Sequence, residues 1–298
     1  MIAPIRDGVV VALLTPLDDA ERVDEPALRA LLRHVMQGGV HGILAMGTSG
    51  EATTLAEREW RRGLELVIEE VNGKIPVLAG ILAPATELAL QRLREAERMG
   101  AAAAVACLPY YYATGKWEAV CHFQYLARAS HIPIYAYNIG LTKMVFGEDV
   151  VSDLVAEDAI VGLKDSVGDF TVFQKVVARY CTPRFCIFQG NETMLSHSLF
   201  AGASGGVLGL ANVAPRFCVD LYEACVRREY ERAYALQRKL VSLHSINRIT
   251  SSALVAQKYA LSLLGLMGER ATRPLRPLST EEKTRVRGTL AELGLLQA

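Results

Sequence analysis

The chain has 298 residues, of which 51% are hydrophobic and 21% charged, and its 32 basic and 32 acidic side chains leave a formal net charge of zero. A balance of this kind offers no electrostatic footprint for nucleic acid or for an anionic membrane surface, so we expect a small-molecule partner. No stretch is long and apolar enough to cross a bilayer, and the N-terminus lacks the apolar core of a signal peptide, which predicts a cytoplasmic protein.

Eight short runs rich in Val, Ile, Leu and Ala predict β-strands, and helical patterns such as 55–71 and 84–99 lie between them. Continuous apolar strands that alternate with helices indicate parallel strands covered on both sides. Eight such units close into a (β/α)8 TIM barrel, which is an α/β fold. The predicted strands are 9–14, 42–47, 76–81, 103–108, 133–138, 160–164, 185–190 and 205–210.

The strand patterns stop at about residue 217, and the rest of the chain predicts helices only. Because the barrel is complete by then, we expect residues 1–216 to form the barrel core that carries the active site. Residues 217–298 are predicted to contain the last barrel helix and a C-terminal helical extension, interrupted at 273–277 by a proline-stiffened linker. The predicted helices are 217–228, 230–243, 251–266 and 280–293.

Three of the predicted strands lead into polar residues at their carboxyl ends. The second is followed by the run 47–51, Gly-Thr-Ser-Gly-Glu, the fifth ends in Tyr137 and Asn138, and the sixth contains Lys164. The carboxyl ends of barrel strands meet at one face, which is where TIM-barrel active sites lie. An imine mechanism needs an amine, a proton-shuttling hydroxyl and small donors for a carboxylate, and the three runs supply one each.

Lys164 lies in an otherwise apolar run, residues 161–166. Burial disfavours the charged form of a lysine, and the neutral amine is the form that attacks a ketone to make a Schiff base. Two other interpretations remain open from the sequence. The side chain can extend to solvent, or it can form a buried ion pair with Asp165.

Together these motifs resemble the dihydrodipicolinate synthase and N-acetylneuraminate lyase family, as do the runs 109–111 (Pro-Tyr-Tyr), 190–192 (Gly-Asn-Glu) and 205–215. The resemblance covers nearly the whole chain. It implies a class I aldolase-type enzyme that binds pyruvate, or another 2-keto acid, as an imine on a lysine. It further implies a homotetramer built as a dimer of dimers, with no metal and no organic cofactor.

The resemblance also implies roles for individual residues. Lys164 corresponds to the Schiff-base lysine, and Tyr137 to a proton shuttle that works in a relay with Thr48 and Tyr111. Tyr111 is implied to reach in from a neighbouring subunit, although it is one of three consecutive tyrosines. Thr48 and Ser49 match the positions that grip the keto-acid carboxylate.

Three further positions are predicted to touch substrate. Val207 corresponds to a backbone carbonyl near the imine, and Gly190 marks the place after which sialic acid lyases carry an Asp-Glu pair for sugar hydroxyls. Thr142 stands where the synthases have an arginine that holds the carboxylate of aspartate semialdehyde or its adduct. Replacing that arginine by a hydroxyl costs about 2 kcal/mol in recognition of this substrate, unless the neighbouring Lys143 supplies the charge.

The cysteines and histidines show no pattern of metal ligands. The cysteines form no Cys-x-x-Cys pair and lie mostly in apolar runs, which is typical of buried thiols in a reducing compartment. The histidines have no mutual metal spacing and are predicted to pack or to face solvent. The residues concerned are Cys107, Cys121, Cys181, Cys186, Cys218 and Cys225, with His34, His41, His122, His131, His197 and His244.

The sequence therefore predicts a Schiff-base lyase that cleaves or forms a carbon–carbon bond between pyruvate and an aldehyde. We expect its substrate to be a 2-keto-3-deoxy sugar acid or a 4-hydroxy-2-oxo acid. Alternatives within the enzyme class are a dihydrodipicolinate synthase with an altered second-substrate site and a 2-keto acid dehydratase or deaminase. The alternative from another class is a keto-acid binding protein.

Overall fold

The eight strands are short runs buried along their whole length, as expected for parallel strands covered on both faces. In the computed structural model, which describes residues 4–296, they form a closed parallel barrel in chain order. The barrel closes where β8 pairs with β1, with Val207 opposite Val10. The strands are β1 Gly8–Ala12, β2 Gly42–Ala45, β3 Val77–Gly80, β4 Ala103–Cys107, β5 Ile134–Asn138, β6 Gly162–Asp165, β7 Cys186–Gln189 and β8 Gly205–Leu208.

The predicted (β/α)8 fold is thus confirmed, with small differences at the strand ends. Most predicted strands run one or two residues past the observed carboxyl end. Those residues leave the sheet to begin the loops at the carboxyl face of the barrel. Apolar character continues into these loops because they fold back over the core, so hydrophobicity alone does not mark where the ladder of hydrogen bonds stops.

Helices follow the strands and form the outer layer. In α1, buried Leu28, Leu31, Leu32 and Val35 recur at helical spacing and face the barrel, and the Asp24 carboxylate caps the first turn. The outer helices are α1 Glu25–Gln37, α2 Glu57–Val71, α3 Thr86–Met99, α4 Lys116–Ala129, α5 Glu148–Ala156, α6 Phe170–Tyr180, α7 Leu195–Phe200 and α8 Pro215–Val226.

The predicted C-terminal helical extension is present as α9 Tyr230–His244, α10 Ala253–Leu263 and α11 Thr280–Glu292. The division of the chain at residue 216 stays a prediction, since α8 contacts both β1 and α9. Residues 1–3, part of the segment in which we expect no signal peptide, lie outside the described residues, as do 297 and 298. Between residues 4 and 296, no helix has the length and apolarity that a membrane crossing requires.

The apolar side chains form two cores. One fills the space between the barrel wall and the outer helices, and the other fills the interior of the barrel itself. Layers of large side chains make this interior a packed plug rather than a pore. The predicted site residues lie at the carboxyl face of the barrel, above this packed interior. The interior core includes Val10, Leu44, Leu78, Val105, Tyr135, Tyr137, Phe188 and Val207.

Candidate active site

Lys164 and Tyr137 face each other at the top of the barrel interior. They are direct partners in the register of β5 and β6, and residues opposite each other in neighbouring strands point to the same side of the sheet. The Nζ atom of Lys164 lies 4.0 Å from the centre of the Tyr137 ring. Only 5% of Lys164 and 4% of Tyr137 is exposed. The amine and the Tyr137 ring are therefore in direct contact, and both residues are buried.

Neither alternative interpretation of Lys164 fits this geometry. The side chain does not reach solvent, and Asp165, the next residue of the strand, points to the opposite side of the sheet. The Asp165 carboxylate accepts hydrogen bonds from Asn138 Nδ2 at 2.6 Å and from the Val167 backbone at 3.0 Å. Burial raises the pKa of the Asp165 carboxyl. Apolar side chains of the barrel interior, rather than a counter-ion, lie next to Lys164. They are Ile5, Val10, Leu44, Leu78, Val105, Phe188 and Val207.

A pocket of about 130 Å³ opens beside Tyr137 at the barrel mouth. Tyr137 lines this pocket and also contacts Lys164, so a single side chain links the pocket to the amine. A larger cleft of about 480 Å³, between the loop after β1 and the helical extension, contains neither residue. The pocket beside Tyr137 is lined by Thr48, Thr53, Leu82, Cys107, Tyr110, Tyr137, Ile139, Leu141 and Thr142.

The loop after β2 brings Thr48 to this pocket. The loop is closed by two backbone hydrogen bonds, Glu51 to Thr48 at 3.1 Å and Ala52 to Gly47 at 3.2 Å. Its approach depends on Gly80 at the end of β3, because a Cβ there would lie only 2.1 Å from the carbonyl oxygen of residue 46. Ser49 lies in the same turn and is partly exposed. The threonine and serine thus sit at the mouth, on a turn held against the barrel.

Glu51, the last residue of this motif, points away from the pocket. Only 2% of it is exposed, and its Oε2 accepts hydrogen bonds from the backbone N–H of Thr272 at 2.7 Å and from the Thr272 hydroxyl at 2.8 Å. Glu51 therefore bonds to the segment that holds Thr272 rather than to the pocket.

Gly190 and Thr142 are near the site, but neither has a side-chain donor free for a ligand. The Gly190 N–H donates to the Asp165 carbonyl at 2.6 Å, and a Cβ at this position would lie 1.9 Å from the Ser166 hydroxyl. The hydroxyl of Thr142 lies 2.8 Å from the Ile139 carbonyl and 2.6 Å from that of residue 144. Gly190 therefore makes room for Ser166, and Thr142 closes its own loop.

Tyr111 lies outside the pocket of its own chain. It is 69% exposed, its ring meets that of Tyr112 edge-on at 5.1 Å, and Lys143 Nζ lies 6.0 Å above it. Lys143 is exposed and is not among the residues that line the pocket. Of the three consecutive tyrosines it is Tyr110 that lines the pocket, where burial raises the pKa of its phenol.

The sequence did not identify the apolar wall of the pocket, formed by Leu82, Cys107, Ile139 and Leu141. Cys107 was open to prediction, since it is the last residue of β4 and strand ends converge at the site. Burial raises the pKa of its thiol to about 12, so the thiol stays protonated at neutral pH and acts as a small apolar group. The other three carry no chemical signal that separates them from core residues.

The cysteines and histidines of the described chain show no metal-site geometry. All six cysteines are free thiols, four of them buried, while Cys121 and Cys181 are partly exposed. No three His, Cys, Asp or Glu side chains between residues 4 and 296 cluster in a way that could hold a metal ion.

Comparison with known proteins agrees with the motifs. The sequence model of the dihydrodipicolinate synthetase family matches residues 6–293. The chain is 35% identical over 294 residues to a 4-hydroxy-tetrahydrodipicolinate synthase of Methanopyrus kandleri, covering 97% of each chain. It is 32% identical to an uncharacterised DapA-like lyase of Halobacterium salinarum, over 97% of this chain and 94% of the relative. The crystal structure of a chloride-inhibited dihydrodipicolinate synthase from Acinetobacter baumannii complexed with pyruvate superimposes with a TM-score of 0.93 at 28% identity, covering 98% of this chain and 100% of that one.

Proposed function

The chain belongs to the dihydrodipicolinate synthetase family of class I aldolases and lyases, and we propose that it cleaves or forms the C3–C4 bond of a 4-hydroxy-2-oxo acid. Its products in the cleavage direction are pyruvate and an aldehyde, and 2-keto-3-deoxy sugar acids are members of the same substrate class. The observation that carries the proposal is the placement of the Lys164 amine 4.0 Å from the Tyr137 ring in a buried, largely apolar space.

The reaction starts when the Lys164 amine adds to the C2 ketone and water leaves, giving an iminium. Tyr137 passes its phenolic proton into the relay with Thr48 and Tyr111 and accepts the proton of the C4 hydroxyl. The C3–C4 electron pair moves into the iminium as the aldehyde departs. The enamine that remains is protonated at C3. Water then hydrolyses the iminium and returns pyruvate and the free amine. The reverse sequence forms the same bond.

Thr48 and Ser49 are proposed to hold the keto-acid carboxylate. They lie on the turn after β2, and Thr48 lines the pocket that Tyr137 also lines. Charge-assisted hydrogen bonds from such donors orient a carboxylate without an arginine. The backbone of Val207, in the interior layer beside Lys164, is proposed to contact the imine. Gly190 is proposed to border the substrate through its backbone alone.

The second candidate is a 4-hydroxy-tetrahydrodipicolinate synthase, the activity named for the Methanopyrus kandleri relative. Thr142 weighs against it, because its hydroxyl is engaged in its own loop and no charged side chain of the described residues lines the pocket. Aspartate semialdehyde carries a carboxylate that needs such a partner. An assay with pyruvate and aspartate semialdehyde tests this candidate directly.

We propose that the active form is a homotetramer, built as a dimer of dimers. Large apolar side chains are exposed in the segments that follow β4 and β5. Tyr111, Tyr112, Trp117 and Leu141 are 69%, 76%, 74% and 71% exposed. Leu141 is at once a pocket wall and an exposed side chain, so a second copy seated here would close the pocket and bring its own Tyr111 to the relay.

A separate apolar surface lies on the C-terminal side of the molecule. Val226, Tyr230, Tyr234 and Val241 are between 42% and 61% exposed, and both tyrosines pack on Phe200 with ring centres 5.1 and 5.8 Å away. Two distinct self-complementary surfaces are what a dimer of dimers requires. The proposed tetramer uses both.

Borohydride reduction in the presence of pyruvate, followed by intact-mass measurement, tests the proposal. We expect a stable adduct on the wild-type chain, mapped by peptide analysis to Lys164, and no adduct on Lys164→Met. The exposed Lys175 provides a matched control, since Lys175→Met should form the adduct as the wild type does. Adduct formation together with pyruvate release from a 4-hydroxy-2-oxo acid supports the lyase. An adduct without turnover of any such acid would exclude the lyase and leave the synthase or a binding protein, which the assay with aspartate semialdehyde separates.

A further inference from the structure

One side of the pocket beside Tyr137 is apolar. Leu82, Cys107, Ile139 and Leu141 form an apolar side, and no acidic or basic side chain of the described residues lines the pocket. We propose that the aldehyde partner of pyruvate is uncharged and carries a short apolar substituent, which packs on this wall. The inference rests on the proposed lyase function and specifies the substituent at C4 of its substrate.

Two basic side chains close to the wall, Lys143 and Arg92, are engaged elsewhere. Lys143 lies over the exposed Tyr111 ring. Arg92 donates to the Leu82 carbonyl from the outer side, stacks over Trp60 at 5.3 Å and pairs with Glu57 at 3.0 Å. A carboxylate or phosphate on the aldehyde would therefore enter the pocket without a cation. A charge placed against the apolar wall would lose part of its hydration without gaining a partner, which disfavours charged aldehydes.

The polar groups that would bind a sugar chain are also occupied. Asn191 Oδ1 accepts hydrogen bonds from the backbone and hydroxyl of Thr193, at 3.1 and 2.8 Å. Glu192 Oε1 accepts from the backbone N–H groups of Gly209 and Leu210, at 2.8 and 3.1 Å. The Thr142 hydroxyl is held in its loop as well, which leaves the hydroxyls of Thr48, Thr53 and Tyr110 as the other polar groups of the pocket besides Tyr137. A polyhydroxy substituent on the apolar side of the pocket would lose its hydrogen bonds to water without gaining partners there.

The volume of the pocket sets the size of the substituent. About 130 Å³ corresponds to the space of about four water molecules, which suits a short alkyl group. Tyr137 forms one side of the pocket, so an aldehyde bound there places its carbonyl oxygen beside the phenol that exchanges a proton with it. The protonated Cys107 thiol completes the apolar side.

The test compares three 4-hydroxy-2-oxo acids as substrates of the full-length protein, with pyruvate release as the readout. Their C4 substituents are propyl, 1,2-dihydroxyethyl and carboxymethyl. We expect kcat/KM for the propyl compound to exceed the other two by about tenfold or more, because filling an apolar pocket with one methylene is worth about 10- to 200-fold. Equal or better turnover of the dihydroxyethyl or carboxymethyl compound would overturn the inference.

Variants of the wall provide a second readout. Leu82→Asn and Cys107→Ser should each lower kcat/KM for the propyl compound by about tenfold and thereby narrow its advantage over the dihydroxyethyl compound. Leu88→Asn is the matched control, since Leu88 is 45% exposed on α3 and should leave all three values unchanged. Wall variants that keep the wild-type preference would contradict the assignment of these residues.

Pyruvate trapping separates this inference from the proposed function. If borohydride fixes pyruvate on Lys164 but the hydroxylated substrate is preferred, the lyase function is supported and the proposed apolar substituent is refuted. If no adduct forms on Lys164, both the lyase function and the proposed apolar substituent are refuted.

Discussion

The ammonium of Lys258, on α10, lies against the carboxylate of Glu51, in the loop that follows β2. Both side chains are fully buried, with 0% and 1% exposure, and Lys258 Nζ also donates to the Arg270 carbonyl at 2.6 Å. Burial lowers the pKa of Lys258, and the Glu51 carboxylate opposes that shift. Since Thr272 donates to Glu51 as well, the helical extension holds the loop that carries Thr48 from below.

Removing the cation should therefore destabilise the protein and disturb the loop. We expect Lys258→Met to lower the free energy of unfolding by about 3–5 kcal/mol, because Glu51 is left as a buried charge without a partner. Urea unfolding measures the loss, and Lys175→Met, at an exposed position of α6, should change stability by less than about 0.5 kcal/mol.

A double variant distinguishes the ion pair from packing. Glu51→Gln combined with Lys258→Met removes both charges and should recover part of the stability lost by Lys258→Met alone. If the ion pair also positions Thr48 and Ser49, KM for the keto acid should rise in Lys258→Met. A variant as stable as the wild type with an unchanged KM would show that the extension does not support the loop.

The sequence predicted the barrel because its eight apolar runs each carry the same local signal. It also predicted that Lys164 and Tyr137 lie close together, since residues at the carboxyl ends of two neighbouring strands meet once the strands pair. It did not predict that Lys258 reaches Glu51, because that contact joins residues more than two hundred positions apart. Nor did it predict the engagement of the Thr142 hydroxyl, which depends on how a single loop folds.

Tyr137 should matter for turnover more than for capture of the keto acid. Tyr137→Phe keeps the ring beside Lys164 but removes the hydroxyl that exchanges protons, and we expect kcat to fall by about 10²- to 10⁴-fold. Borohydride trapping of pyruvate should still occur, because the lysine amine is retained. Tyr125→Phe, at a 62% exposed position of α4, is the control and should retain full activity. If Tyr137→Phe kept the wild-type kcat, the Tyr137 hydroxyl would have no role in the mechanism.

Tyr111 and Tyr112 form a matched pair for testing a shared site. Both are exposed, at 69% and 76%, and differ in that Tyr111 is proposed to enter the relay of a second copy. We expect Tyr111→Phe to lower kcat about tenfold, because the variant loses one hydrogen bond to a group that becomes charged during the reaction. Tyr112→Phe should leave kcat unchanged. Sedimentation velocity should show the same assembly for both variants. Equal kcat values in the two variants would refute the contribution of a partner subunit.

His122 should make stability depend on pH. It lies on α4, is 3% exposed, and its Nδ1 is 2.9 Å from the Thr86 hydroxyl of α3. Burial lowers the pKa of His122 to about 4, whereas an unfolded histidine titrates near 6.5. Above about pH 6.5 the ring is neutral in both states, and its contribution to stability is fully present. As the pH falls from 6.5 towards 4, the unfolded chain takes up a proton that the folded chain does not, so stability falls.

The loss over that interval is on the order of 3 kcal/mol, which urea unfolding at steps from pH 8 to pH 4.5 can resolve. His122→Gln keeps a polar group beside Thr86 without a titrating ring, and the difference in unfolding free energy between it and the wild type isolates this histidine from the acidic residues. We expect that difference to shrink as the pH falls, because the wild type alone loses the contribution. His131→Gln, at an exposed position, should follow the wild-type pH profile. A constant difference between wild type and His122→Gln across the range would mean that the ring is not held neutral by burial.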